Sequence, residues 1–161
     1  MRAFSSLIAL RGKVLTRTPS SDPAGRLLAI DLGAKRVGVA VSDELRITVR
    51  PLAAIERRSW KDLLRQVAAL IESTRAQGLV IGLPLRLDGV AGSAANEARA
   101  IAEKFRQSVG APVYLQDERL TTFAARSHLK SAGRSELEIE REVDSESAAI
   151  ILRDFIECQQ P

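Results

Sequence analysis

Residues Leu27 to Asp43 read LLAIDLGAKRVGVAVSD, two apolar runs joined by Gly33-Ala-Lys-Arg36. Runs of this length rich in Val, Ile and Ala, with a short glycine-bearing link, predict two buried strands, Leu27–Asp31 and Val37–Ser42, in a hairpin. Asp31 ends the first run, and a carboxylate there is costly unless a cation or hydrogen-bond donor meets it. The rest of the chain must supply that partner.

Upstream, Ser20-Ser-Asp-Pro-Ala-Gly25 is a turn-forming linker. Residues 1–26, with five basic side chains against Asp22 alone, are expected to be a disordered leader or an N-terminal extension outside the fold, with an organelle targeting peptide as the alternative. Downstream, a third strand near Ile47–Ile55 contains Pro51, which predicts an edge strand or a bulge. The period then becomes helical. Trp60, Leu63, Leu64, Val67, Leu70 and Ile71 mark a helix closed by Gly78. A buried strand Leu79–Leu83 leads through the loop Arg86–Gly92 to a helix carrying Ala98, Ile101, Ala102 and Phe105. Then come a strand at Pro112–Gln116, a helix capped by Thr121 or Thr122 and stopped at Gly133, a charged connection Arg134–Arg141, and a last helix from about Val143 to Glu157.

The order βββ-α-β-α-β-α-α predicts a mixed five-stranded α/β sheet. Three antiparallel strands come first, and right-handed crossovers add two parallel ones with helices on both faces. One domain, 27–158, accounts for the pattern. The 161 residues, 45% hydrophobic and 27% charged, suit a globular protein, and no apolar run nears the roughly 20 residues of a membrane span. The single Cys158 excludes an internal disulfide. A net charge of +4 favours polyanionic partners, while only 4% aromatics argues against recognition dominated by stacking.

Ligands gather beyond the carboxyl ends of parallel strands. Asp31 lies there, as do Asp117 and Glu118 after the last strand. Alternation sends the latter two to opposite faces, so one of them joins Asp31. On the last helix Asp144 shares a stripe with Ala148, Ile151, Leu152 and Phe155, which turns it toward the sheet from the helix start, whereas Glu142 and Glu146 fall off that stripe and are expected in solvent. Crowded carboxylates repel one another, and Mg²⁺ or Mn²⁺ relieves that repulsion through hard oxygen ligands. Asp43 and Asp88 read instead as a strand terminator and an Asp-Gly turn, and His128 as a surface residue.

Four segments together resemble the YqgF/RuvX family: Leu27–Asp43, Val80-Ile-Gly82-Leu-Pro84-Leu-Arg-Leu-Asp88-Gly89, Asp117-Glu-Arg-Leu-Thr-Thr122, and Val143-Asp144 through Leu152. The resemblance spans roughly Leu27 to Ile156 and implies an RNase H-like fold related to the junction resolvase RuvC. It also implies a cytoplasmic nuclease that matures the 5′ end of pre-16S rRNA. By position it assigns Asp31, Glu118 and Asp144 as catalytic, metal-binding acids for Mg²⁺ or Mn²⁺, with Glu118 preferred to Asp117. Lys35, Arg36, Arg86, Arg119 and Arg126 are candidates for phosphate contact; Arg119 is equally placed to brace Glu118. Ala34 and Arg86-Leu87 depart from residues common in the family at positions that touch no acid. The alternatives are branched DNA as substrate, a non-catalytic RNA-binding module, and an ATP-binding loop of the actin and sugar-kinase type, which lacks a second domain here. The oligomeric expectation is monomer or homodimer.

Overall fold

The computed structural model describes residues 25–86, 88–118 and 121–159. The leader as far as residue 24, Leu87 and Arg119 therefore lie outside the described residues. The chain runs β1 (Leu27–Leu32), β2 (Arg36–Ser42), β3 (Val49–Glu56), α1 (Trp60–Thr74), β4 (Gly78–Leu83), α2 (Ser93–Ser108), β5 (Val113–Asp117), α3 (Thr121–Ser131) and α4 (Glu136–Gln159). The sheet order is β3-β2-β1-β4-β5, with β1–β2 and β2–β3 antiparallel and β1–β4 and β4–β5 parallel. This is the expected mixed sheet.

Alternation along the strands separates two cores. Leu28, Ile30, Leu79, Ile81, Val113 and Leu115 face α1 and α2, where Leu63, Val67, Ala98 and Phe105 complete the first core. Leu27, Ala29, Ala40, Val80 and Tyr114 face α4 and meet Ala148, Ile151, Leu152 and Phe155 in the second. Helices thus cover both faces. A third, smaller cluster of Ala125, Leu129, Ile139 and Val143 joins α3 to the first turns of α4. Among the described residues no helix is long and apolar enough to cross a membrane.

Pro51 lies on the edge strand β3, paired in register with Ala40, and the slip in register falls beyond it, between Leu52 and Ile55 opposite Val37–Val39, so the proline marks the edge rather than the bulge. Three expectations need correction. Gly78 does not close α1; it opens β4, and Arg75 ends the helix in the left-handed conformation (φ 56°) as its N–H and that of Ala76 cap the carbonyls of Glu72 and Ile71. The segment Arg134–Arg141 is mostly helix rather than a connection. Ser135 Oγ accepts from Glu138 N–H while Glu138 Oε2 accepts from Ser135 N–H (2.8 Å), a capping box that starts α4 seven residues earlier than expected. Glu146, expected in solvent, is 5% exposed. Its carboxylate lies 3.0 Å from His128 Nδ1 and 3.3 Å from Arg153 Nη1, and the Arg153 guanidinium with the imidazole contact makes its burial tolerable. His128 remains on the surface.

Candidate active site

Asp31 follows Leu27 and Ala29 on the face that α4 covers. Its register partner on β2 is Gly38. A methyl group at Gly38 would overlap the carbonyl of Asp144 and stand 2.8 Å from Ser145 N, so this glycine lets the backbone of α4 settle directly on β2. Val39 N–H donates to Ser145 Oγ at 3.1 Å. Arg36 reaches up from the start of β2, its Nε 2.9 Å from Asp144 Oδ2 and its Nη2 on the carbonyl of Glu140. Arg36, Gly38 and Val39 of β2 therefore fix α4 between Glu140 and Ser145, and with it Asp144. This acid belongs to the third turn of α4 rather than to its start.

Glu118 prolongs β5, its N–H donating to Leu83 O at 3.2 Å. Val113 and Leu115 face the first core, and Asp117 continues their side. Tyr114 faces α4, and Glu118 continues that side. Gly82 of β4 leaves the space Glu118 occupies. A Cβ there would overlap Glu118 Oε2 and come within 2.8 Å of Ile151 Cδ1. Of the two acids after β5, Glu118 is thus the one that meets Asp31, and the two carboxyls hydrogen-bond each other.

That contact requires a shared proton. Burial pushes Asp31 up to about 6; the Glu118 hydrogen bond opposes the rise, and the nearby Asp144 charge adds to it. Burial pushes Glu118 higher still, to about 9, with the Asp31 charge as the next cause. Asp144 stands apart, held by Arg36. Among the described residues no three His, Cys, Asp or Glu side chains gather closely enough to hold a metal ion together. The residues that approach one another are a proton-sharing pair, Asp31–Glu118, with Asp144 within electrostatic reach.

The cationic candidates divide. Arg36 binds Asp144 rather than standing free. Lys35 is exposed in the β1–β2 turn, Arg86 pairs loosely with Asp88 (3.5 Å), and Arg126 with Glu136 (3.4 Å). The sequence reading missed Arg57. Its N–H donates to Lys35 O (2.9 Å) and its Nη1 to Gly33 O (3.0 Å), which pins the turn beside Asp31. It also missed Gln116. Two residues before Glu118 on the same face and 1% exposed, its side-chain amide has no hydrogen-bond partner among the described residues. A lone polar residue in an apolar strand was the available signal for Gln116; Arg57 offered none.

Comparison with known proteins agrees with this fold. The family model described as "RuvX: Holliday junction resolvase" matches residues 25–158. A protein of Anaeromyxobacter sp. (strain Fw109-5) named "Putative pre-16S rRNA nuclease" is 41% identical over 132 residues, covering 82% of this chain and 96% of its own. One of the same name from Rickettsia akari (strain Hartford) is 35% identical over 160 residues, covering 99% and 96%. Among solved structures, T. thermophilus RuvC in complex with Holliday junction substrate superposes with a TM-score of 0.52 at 13% identity, over 83% of this chain and 95% of that one. The fowlpox virus Holliday junction resolvase gives 0.51 at 11% identity, over 84% and 99%. At such identities the likeness is one of fold, RNase H-like.

Proposed function

This chain belongs to the RuvX family, and from that premise we propose that it is a divalent-metal-dependent nuclease that trims the 5′ end of pre-16S rRNA. The observation that carries the reading is the half-buried Asp31–Glu118 pair. Two carboxyls forced together at the carboxyl end of a sheet are unfavourable in themselves and suit a hard cation, which favours their charged forms.

The donor set fits Mg²⁺ or Mn²⁺ in its chemistry: Asp31 and Glu118 would hold it through their oxygens, with Asp144, here paired with Arg36, as a third acid nearby. Bound there, the metal supplies a polarised water and charge stabilisation for phosphodiester hydrolysis. The protein's own residues do the rest. To hold the cation as carboxylates, Asp31 and Glu118 would release their shared proton to solvent. Arg57 and the paired glycines keep the acids' backbones fixed, so little reorganisation remains when substrate arrives. Lys35, Arg86, Arg119 and Arg126 take backbone phosphates. Arg36 exchanges the Asp144 carboxylate for a phosphate, since its guanidinium suits both.

The test compares the wild-type protein with Asp31→Asn and Glu118→Gln on a pre-16S 5′ leader RNA and on a four-way DNA junction, with Mg²⁺, Mn²⁺ or EDTA. Cleavage of the RNA that needs metal and both acids is expected, with the variants folded. An Asp31→Asn protein that cuts at the wild-type rate would refute the site. The family description favours the junction as second substrate, and metal-dependent cutting of the junction alone would establish that reading instead. Binding without cutting under every condition would mark a non-catalytic RNA-binding module.

A further inference from the structure

α3 presents an arrangement that none of this explains. Residues 121–134 read TTFAARSHLKSAGR: Arg126, His128, Lys130 and Arg134, with no acid. The helix packs chiefly on α4, and Ala125 and Leu129 are its buried side chains. At 100° per residue these two occupy one side. Phe123, Arg126, Ser127 and Lys130 follow at i, i+3, i+4 and i+7 on the side turned away from them, all exposed. The spacing is that of an amphipathic stripe, yet the stripe faces solvent and carries one ring and two cations.

Phe123 is 76% exposed. The other aromatic rings among the described residues pack in pairs, Trp60 edge-on to Phe105 (4.9 Å) and Tyr114 on Phe155 (5.1 Å). The exposed ring lies five residues after Glu118, in the first turn of α3, at the end of the sheet where the two acids meet. Lys130 makes no ion pair among the described residues, and the exposed Arg126–Glu136 pair at 3.4 Å is readily given up.

We propose that α3 is a docking helix for single-stranded nucleic acid, on which Phe123 stacks against an unpaired base next to the cleavage site and Arg126 and Lys130 hold the phosphates beyond it. This rests on the reading of the chain as a protein that acts on nucleic acid. Phe123 to Lys130 spans about 10 Å along the helix, about three phosphate steps of a stacked strand. An exposed ring finds no partner on the closed backbone of an A-form duplex, whereas an unstacked base offers its whole face. The site therefore selects a strand whose bases are splayed beside the scissile bond.

The experiment uses the full chain carrying Asp31→Asn, so that nothing is cut, and single-stranded RNA with 2-aminopurine placed at successive positions. One position is expected to lose fluorescence on binding. Adding Phe123→Ala abolishes that loss and weakens binding about tenfold, whereas Phe123→Trp preserves both. Lys130→Gln lowers the slope of log affinity against log salt by about 0.7. Thermal melting checks that each variant is folded. A Phe123→Ala protein whose quenching and affinity match the parent, or a preference for blunt duplex over single strand, would overturn the proposal. Because cleavage is not read, an RNA held through Phe123 that the wild-type protein never cuts would refute the nuclease reading and leave this one standing.

Discussion

The proton shared by Asp31 and Glu118 has a measurable consequence for stability. Glu118 is held at about 9, against 4.5 for an ordinary glutamate. The folded metal-free protein therefore keeps a proton that the unfolded chain has lost throughout that interval. A raised carboxyl value makes folding most favourable at low pH, fully so below 4.5, and the advantage drains away as pH climbs toward 9. One proton corresponds to a slope of about −1.4 kcal/mol per pH unit. Between pH 6 and pH 8 the loss is therefore about 3 kcal/mol, or about 6–12 °C in Tm for a domain of this size. Glu118→Gln keeps the hydrogen bond to Asp31 and carries no titrating proton, so its stability is expected to change much less across the same range; groups common to both proteins cancel in the difference. The assay is urea denaturation of both proteins in EDTA at the two pH values. Added Mn²⁺ is expected to reverse the trend and release protons, seen as a buffer-dependent heat in calorimetry. Parallel losses in the two proteins, within about 1 kcal/mol and thus below the single-proton effect, would show that the pair holds no shared proton.

The two glycines that admit the acids fail differently. Gly38→Ala drives a methyl group into the backbone of α4 at Asp144, which cannot turn aside, and should cost about 3 kcal/mol in denaturant titration. Gly82→Ala meets only the ends of Glu118 and Ile151, so it should cost less than about 1 kcal/mol while calorimetry shows Mn²⁺ binding lost. Ser135→Ala removes the cap of α4; a loss of about 1 kcal/mol is expected by thermal melting, with faster hydrogen exchange confined to the first turns of that helix.

The sheet was legible because short continuous apolar runs, a proline on the edge and crossover chirality leave few topologies open. The meeting of Asp31 with the β5 acids followed from strand polarity alone, and alternation reduced the choice to Asp117 or Glu118. The early start of α4 was hidden by charge: Glu136 to Glu142 shows Leu137 and Ile139 as its apolar residues, too sparse for a core-facing stripe, although Ser135 and Glu138 had the spacing of a capping box. The burial of Glu146 was illegible because its partners arrive from α3 and from two turns further along α4. Arg36 and Asp144 lie 108 positions apart, and nothing local announces their ion pair. Only the fold, which lays α4 on Gly38, brings them together.

The small cluster of Ala125, Leu129, Ile139 and Val143 is distinct from the two cores that hold the acids. The helical hairpin it unites has its own small core, yet β2 ties it to the sheet where Arg36 holds Asp144 and the Glu140 carbonyl. Its outer face is free to vary without disturbing the packing beneath Asp31 and Glu118. On the docking reading, exchanging only the exposed residues of α3 for those of a relative would change the choice of strand and leave Asp144 and its Arg36 contact in place. In a fold of this kind, recognition and catalysis can diverge at separate rates.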